Sequence, residues 1–322
     1  MSSQNVVNGK AFEWTIARYF SIHLGGSGVI GADLIIDSDA ARYAKECFDS
    51  LGNEDQDKWC RFAESATAHI VHRERHNSVI RHVSGISIAS DSEGIGGDVR
   101  DVIVHSSNAK SIGVSCKNNH DAFKHPRLSG TIDFVKDWGL SADGCSDDYW
   151  GKVRPIFDRL SALRQSSDKK MKFADVPNLR ADVMEPAIGA FVDEVVSLAN
   201  VSGESETLLC SSLVQYVIGN HDFYKVIKDD SDNQVRVMGF NFNGTLAGRR
   251  PKLPKSLIGI NQQKSSVESG NSVTIFVQLD LGYSFKMRLH TASSRVEASL
   301  KFDVQAIGLP PKDVYQHFID VD

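Results

Sequence analysis

The sequence predicts an α/β protein: a mixed sheet flanked by helices, followed by a β-rich C-terminal portion. Three observations carry this. Apolar residues recur at helical spacing through three long stretches of the first 76 residues, three short β-type segments come next between 85 and 117, and apolar–polar alternation dominates the last third.

Residues 8–24 place Ala11, Phe12, Thr15, Ile16, Tyr19 and Phe20 near the helical period, and Gly25-Gly26 ends the run. Helices are expected again over 38–51, closed by Gly52-Asn53, and over 55–76, which carries Trp59, Phe62, Ala66, Ile70 and Val71. Strands are expected at 85–90, 101–106 and 111–117, then helices at 147–163, 184–199 and 206–217. The alternating segments 234–242, 272–279, 285–290 and 300–307 read as further strands, separated by loop compositions such as Gly-Thr-Leu-Ala-Gly-Arg-Arg-Pro. The expected partition is a catalytic core over 1–165, a helical insertion over 166–235 and a β-rich DNA-recognition region over 236–322, either separate from the core or continuous with it.

The bulk properties exclude several classes. No run of about 18 apolar residues is present, so no membrane span is expected. The start, Met1-Ser-Ser-Gln-Asn, lacks the basic and apolar regions of a secretory signal. The five cysteines are scattered and include no Cys-x-x-Cys pair, so neither a zinc site nor a disulfide framework is indicated and a cytoplasmic location is expected. Gly25-Gly26-Ser27-Gly28 is not followed by Gly-Lys-Ser/Thr, so no nucleotide cofactor is expected. His69, His72, His76 and His82 cluster along a helix and its exit, a pattern better suited to structural or DNA-facing roles than to zinc. The formal charge of -5 does not exclude DNA binding, because charge is uneven: residues 249–295 hold eight Lys or Arg against Glu268 and Asp280.

The chemistry concentrates in residues 96–117. Two strands with a polar turn near Asn108 form an antiparallel hairpin in which Asp101 faces Ser115, and Lys117 shares the face of Ser115. An acid and a lysine therefore converge near one end of the hairpin. Phosphodiester hydrolysis needs a nucleophilic water, stabilisation of a phosphorane-like charge and help for the leaving 3′ oxygen. A carboxylate-held Mg²⁺ and an adjacent lysine supply these. Asp98 is the competing acid, but in a regular strand it faces the other way. Taken alone, an Asp followed by x-x-Lys is a weak signal.

The stretch directly after Lys117 is more specific: Asn118-Asn119-His120-Asp121-Ala122-Phe123-Lys124-His125-Pro126-Arg127-Leu128-Ser129, then Ile132-Asp133-Phe134, Trp138 and Pro155-Ile156-Phe157-Asp158-Arg159-Leu160. A second block runs from Leu289-His290 through Ala292-Ser293-Ser294 and Val296-Glu297 to Ser299-Leu300-Lys301-Phe302-Asp303. Together these resemble the HaeIII family of type II restriction endonucleases, within the PD-(D/E)XK superfamily. The resemblance fades between about 169 and 235. It implies Mg²⁺-dependent cleavage of double-stranded DNA at a short palindrome (GGCC for the family's namesake), by a homodimer with one active site per strand.

In that superfamily one strand supplies an Asp and the next Asp/Glu-x-Lys, which assigns catalysis to Asp101 and Lys117. Ser115 departs from the pattern, since it stands where an acid is usual. Glu13, in Gly-Lys-Ala-Phe-Glu on the first helix, is the expected substitute ligand, and the carbonyl of Cys116 is a further one. Asn118, Asn119, His120, Lys124, His125 and Arg127 form a donor-rich segment suited to phosphates beside the scissile bond. Arg249, Arg250, Lys286, Arg288, His290 and Arg295 are candidate backbone and guanine contacts. Arg288 or Arg295 is expected to read bases, and Arg249 and Arg250 to hold phosphates. Two rival readings remain: a nonspecific or repair-type nuclease of the same superfamily, and a DNA-binding protein whose cleavage centre has decayed.

Overall fold

A computed structural model describes residues 4–25, 34–90, 98–119, 122–123, 126–141, 143–166, 171–200, 204–263, 272–291, 293–310 and 312–321. The chain divides into two compact units, each discontinuous in sequence.

The first unit comprises residues 1–121, 220–252 and 311–322. Its helices are α1 (Gln4–Leu24), α2 (Asp39–Asp49), α3 (Asn53–Arg73) and the short α4 (Ser78–Arg81). Ser38 starts α2 by accepting from the Ala41 N–H at 3.1 Å, a side-chain N-cap. The strands are β1 (Val83–Ile88), β2 (Val102–Ser106), β3 (Ser111–Asn118), β5 (Phe223–Asp229), β6 (Gln234–Phe240) and β11 (Tyr315–Asp320), in the order β1-β2-β3-β5-β6-β11. All neighbours are antiparallel except β3 and β5, which are parallel. Phe12, Ile16 and Phe20 of α1 pack with Phe62 and Ile70 of α3 and with Val102, Ile112, Val114, Tyr224 and Val226 of the sheet. That alternation, every second strand residue toward the helices, leaves Ser115 and Lys117 on the opposite pleat.

The second unit comprises residues 122–219 and 253–310. It contains β4 (Arg127–Ser129), α5 (Phe134–Asp137), α6 (Asp147–Ser166), α7 (Glu185–Ala199) and α8 (Glu204–Ile218), followed by β7 (Leu257–Gln262), β8 (Val273–Leu279), β9 (Ser284–Thr291) and β10 (Ser299–Gly308). The strands form an antiparallel sheet in the order β4-β10-β9-β8-β7. Phe285, Met287 and Leu289 of β9 and Leu300, Phe302 and Val304 of β10 are buried on one face. Phe302 meets Phe191 of α7 at 5.3 Å between ring centroids, and Phe134 joins Phe191, Trp138 and Tyr149 in the same aromatic core.

The boundaries expected at 165 and 235 do not coincide with those of the units. A parallel pair needs a long crossover, and here the chain from 122 to 219, part of the second unit, lies between β3 and β5. The C-terminal strands are likewise shared: β7 to β10 belong to the second unit, whereas β6 and β11 close the first unit's sheet.

Candidate active site

The hairpin has the expected register. Val102 faces Val114 and Ile103 faces Gly113, so one step further Asp101 stands level with Ser115. Asp101 precedes β2, and its N–H donates to the Val114 carbonyl at 2.8 Å. Its carboxylate turns across the strand end. Asp101 Oδ2 accepts from the Cys116 N–H at 2.6 Å and from the Ser115 hydroxyl at 3.2 Å, and Lys117 Nζ lies 3.6 Å away. Ser115 thus positions Asp101 through a hydrogen bond. Asp101 Oδ1 has no hydrogen-bond partner among the described residues. The N–H and C=O of one strand residue leave on the same side, so the Cys116 carbonyl also faces the Asp101 edge, beyond the end of β2.

Glu13 joins this group from α1. It is buried, 7 % exposed, and its carboxyl is pushed up to about 8. Burial is the main cause and the Asp101 carboxylate the second, partly opposed by Lys10 and Lys117. Lys10 Nζ reaches Glu13 Oε2 at 3.1 Å from one turn back along α1. A carboxyl whose proton affinity is raised by a neighbouring carboxylate, in an all-oxygen donor set, suits a small hard cation. Among the described residues no group of three or more His, Cys, Asp or Glu side chains gathers as a metal site. The donors available here are therefore Glu13, Asp101 and the Cys116 carbonyl.

Asp98 is engaged elsewhere. Its carboxylate grips Arg100, with Oδ1 at 2.8 Å from Nε and Oδ2 at 2.6 Å from Nη2. Although burial raises its pKa, the Arg100 contacts hold it below the usual carboxylate range. Arg100 in turn lies across Gly113, where a Cβ would stand 2.0 Å from its Cδ.

The other sequence candidates are dispersed. Asn118 is half-buried at the end of β3. Asn119 adopts φ 53° and its amide pairs with Asp230 on both sides, at 2.8 and 2.9 Å. His120, Lys124 and His125, like the glycine run 26–28, lie outside the described residues. Arg249 and Arg250 come after β6 at the end of the sheet where Phe240 faces Phe223 and Gly113, separated from the level of Lys117 by about 13 Å of strand. Arg249 lies 3.5 Å from Asp313, and Arg250 Nε donates to the Phe242 carbonyl. His69 stacks on His317 at 4.5 Å, and His72 meets Arg75 at 2.9 Å.

In the second unit, Lys286, Arg288 and His290 alternate with the buried residues of β9 and so share the sheet's polar face. Arg288 pairs with Asp303 at 3.0 Å, and Arg127 with Glu297 at 3.1 Å. Arg295 lines a cleft with Arg164, Ser161 and Ser293. Sequence reasoning missed Lys10, whose spacing from Glu13 was a usable signal. It also missed Lys225, which β5 places beside Ser115 and which is fully buried.

Comparison with known proteins agrees with the resemblance. The family model "HaeIII restriction endonuclease" matches residues 9–310. A curated relative, "Type II restriction enzyme HaeIII" of Haemophilus aegyptius, is 29% identical over 323 aligned residues, covering 96% of each chain. No solved structure matches.

Proposed function

Because the chain belongs to the HaeIII restriction endonuclease family, we propose that it hydrolyses both strands of duplex DNA at a short palindrome, with Asp101, Glu13 and Lys117 as its catalytic centre. It is a type II restriction endonuclease, a site-specific deoxyribonuclease. The finer reading is a PD-(D/E)XK core that uses Mg²⁺, cuts at GGCC and works as a homodimer. The convergence of Asp101, Lys117 and the buried Glu13 at one strand end supports the metal-dependent core, and the GGCC target and the homodimer are carried over from the family resemblance.

Mg²⁺ held by Asp101, Glu13 and the Cys116 carbonyl would acidify water and neutralise charge on the scissile phosphate. The protein's own groups do the rest. The Cys116 N–H and the Ser115 hydroxyl fix Asp101 Oδ2, so Oδ1 is presented in one orientation. Lys117 Nζ, tethered beside Asp101, orients the attacking water and donates to the phosphate oxygen on which charge develops as the 3′ oxygen leaves. A two-fold dimer places one such centre on each strand of a palindrome.

Digestion of unmethylated phage DNA with Mg²⁺, combined with mapping of the fragment ends, tests the reading. Discrete fragments with every end inside GGCC are expected. A smear would make the enzyme nonspecific, and tight binding with no turnover would mark a decayed centre. Asp98→Asn is expected to keep the rate within about an order of magnitude, whereas Asp101→Asn loses about a hundredfold or more. Comparable losses in single-turnover rate for the two variants would remove the distinction between the acids.

A further inference from the structure

Lys301 of β10 stands directly between Arg127 of β4 and His290 of β9. Adjacent strands lie about 4.8 Å apart, so three basic residue types occupy one cross-strand row. Like charges placed directly opposite one another destabilise a sheet. The acids facing the row are Glu297 and Asp303, and each is already held by an arginine, Glu297 by Arg127 and Asp303 by Arg288. Lys301 is half-buried, yet among the described residues its ammonium has no hydrogen bond or ion pair. Burial, and then the Arg127 charge, hold it below the usual lysine range, with Asp303 and Glu297 pulling the other way. Burial likewise holds His290 below its usual value, and its Nδ1 contacts the Thr291 carbonyl at 2.8 Å. The row therefore offers two adjacent cations, Arg127 and Lys301, rather than three.

An ammonium that loses water without gaining an acceptor is costly. A ligand rich in anionic oxygen would supply acceptors to Lys301 and to the part of Arg127 left exposed beside Ser299, whose hydroxyl oxygen lies 2.9 Å from Nη1. We infer that Lys301 and Arg127 form an anion seat on the polar face of the five-stranded sheet and hold a phosphate of the DNA backbone. The inference rests on duplex DNA being the substrate. It gives the lysine a positioning task that carries no sequence information.

The test is binding of wild type, Lys301→Gln and Lys301→Arg to a cleavable duplex and a scrambled one, at several salt concentrations, with Ca²⁺ in place of Mg²⁺. For Lys301→Gln the salt slope is expected to fall by about one, with equal losses on both duplexes, and Lys301→Arg should restore the slope. The free Lys301→Gln protein should melt no lower than wild type, since a like charge leaves the row. An unchanged slope, a loss confined to the cleavable duplex, or a lower melting temperature overturns the seat. Inorganic phosphate added to the free protein gives an arm independent of any nuclease reading: it should raise the melting temperature of wild type and not of Lys301→Gln. Equal shifts in both overturn the seat even if no duplex is cut, whereas absence of cutting with a wild-type-only shift counts against the nuclease reading alone.

Discussion

Lys117→Ala is expected to slow cleavage by about a hundredfold or more while duplex binding persists. The side chain is about a quarter exposed at the strand end and its ammonium lies 3.6 Å from Asp101 Oδ2, so truncation opens no cavity in the core. The variant loses a positive charge held where negative charge grows as the phosphate is attacked. Such a charge acts mainly on the transition state, and its loss appears in the single-turnover rate rather than in affinity. Single-turnover cleavage with Mg²⁺ and binding with Ca²⁺ separate the two. A rate above about a tenth of wild type would place the reacting phosphate elsewhere, and a matched fall in binding would make Lys117 a simple phosphate contact.

Glu13→Gln should change two properties together. The folded state holds the Glu13 proton up to about pH 8, against an ordinary value of 4.5. Because the native chain binds this proton more tightly than the unfolded chain does, stability linked to Glu13 is full below about pH 4.5 and is lost as pH rises to about 8. Glutamine mimics the protonated form and carries no such dependence. In metal-free buffer the variant is therefore expected to melt higher than wild type at pH 9 and close to it at pH 5, the difference being on the order of a few kcal/mol. Mg²⁺ should reverse the ranking. Wild type gains stability on adding the ion, the variant gains less, and the variant needs more Mg²⁺ for half-maximal cleavage. Identical Mg²⁺ titrations for the two proteins would remove Glu13 from the metal site.

The hairpin was legible because its determinants are local. The polar turn near Asn108 and the alternation on either side define a register that sets Asp101 against Ser115. The helices that bury Phe12, Ile16 and Phe62 were legible for the same reason. β5 was not. It is central in its sheet and covered on both pleats, so it shows no alternation, and Lys225 and Lys228, both fully buried, make it read as polar. Lys228 meets the rings of Trp59 and Phe62 at 4.8 and 5.4 Å and bonds Asp230, partners that no local pattern announces. The row of Arg127 and Lys301 was hidden likewise: it joins a three-residue strand to one far along the chain. Ser115 read in the sequence only as a missing acid, and the structure shows its hydroxyl donating to Asp101 Oδ2 at 3.2 Å.

The crossover between β3 and β5 also governs when the first unit's sheet can close. The Asp101–Lys117 hairpin leaves the ribosome early, but the parallel partner that flanks Ser115 and Lys117 is made roughly a hundred residues later. At ordinary elongation rates that is a delay of about 5–20 s. Pairing so distant in sequence is also intrinsically slow to form. Until β5 is made, the β3 edge that it pairs with stays open and the first unit's sheet is incomplete. Assembly of the sheet is therefore a built-in delay: a fragment ending before β5 holds Glu13, Asp101 and Lys117 but lacks the strand that flanks Ser115 and Lys117.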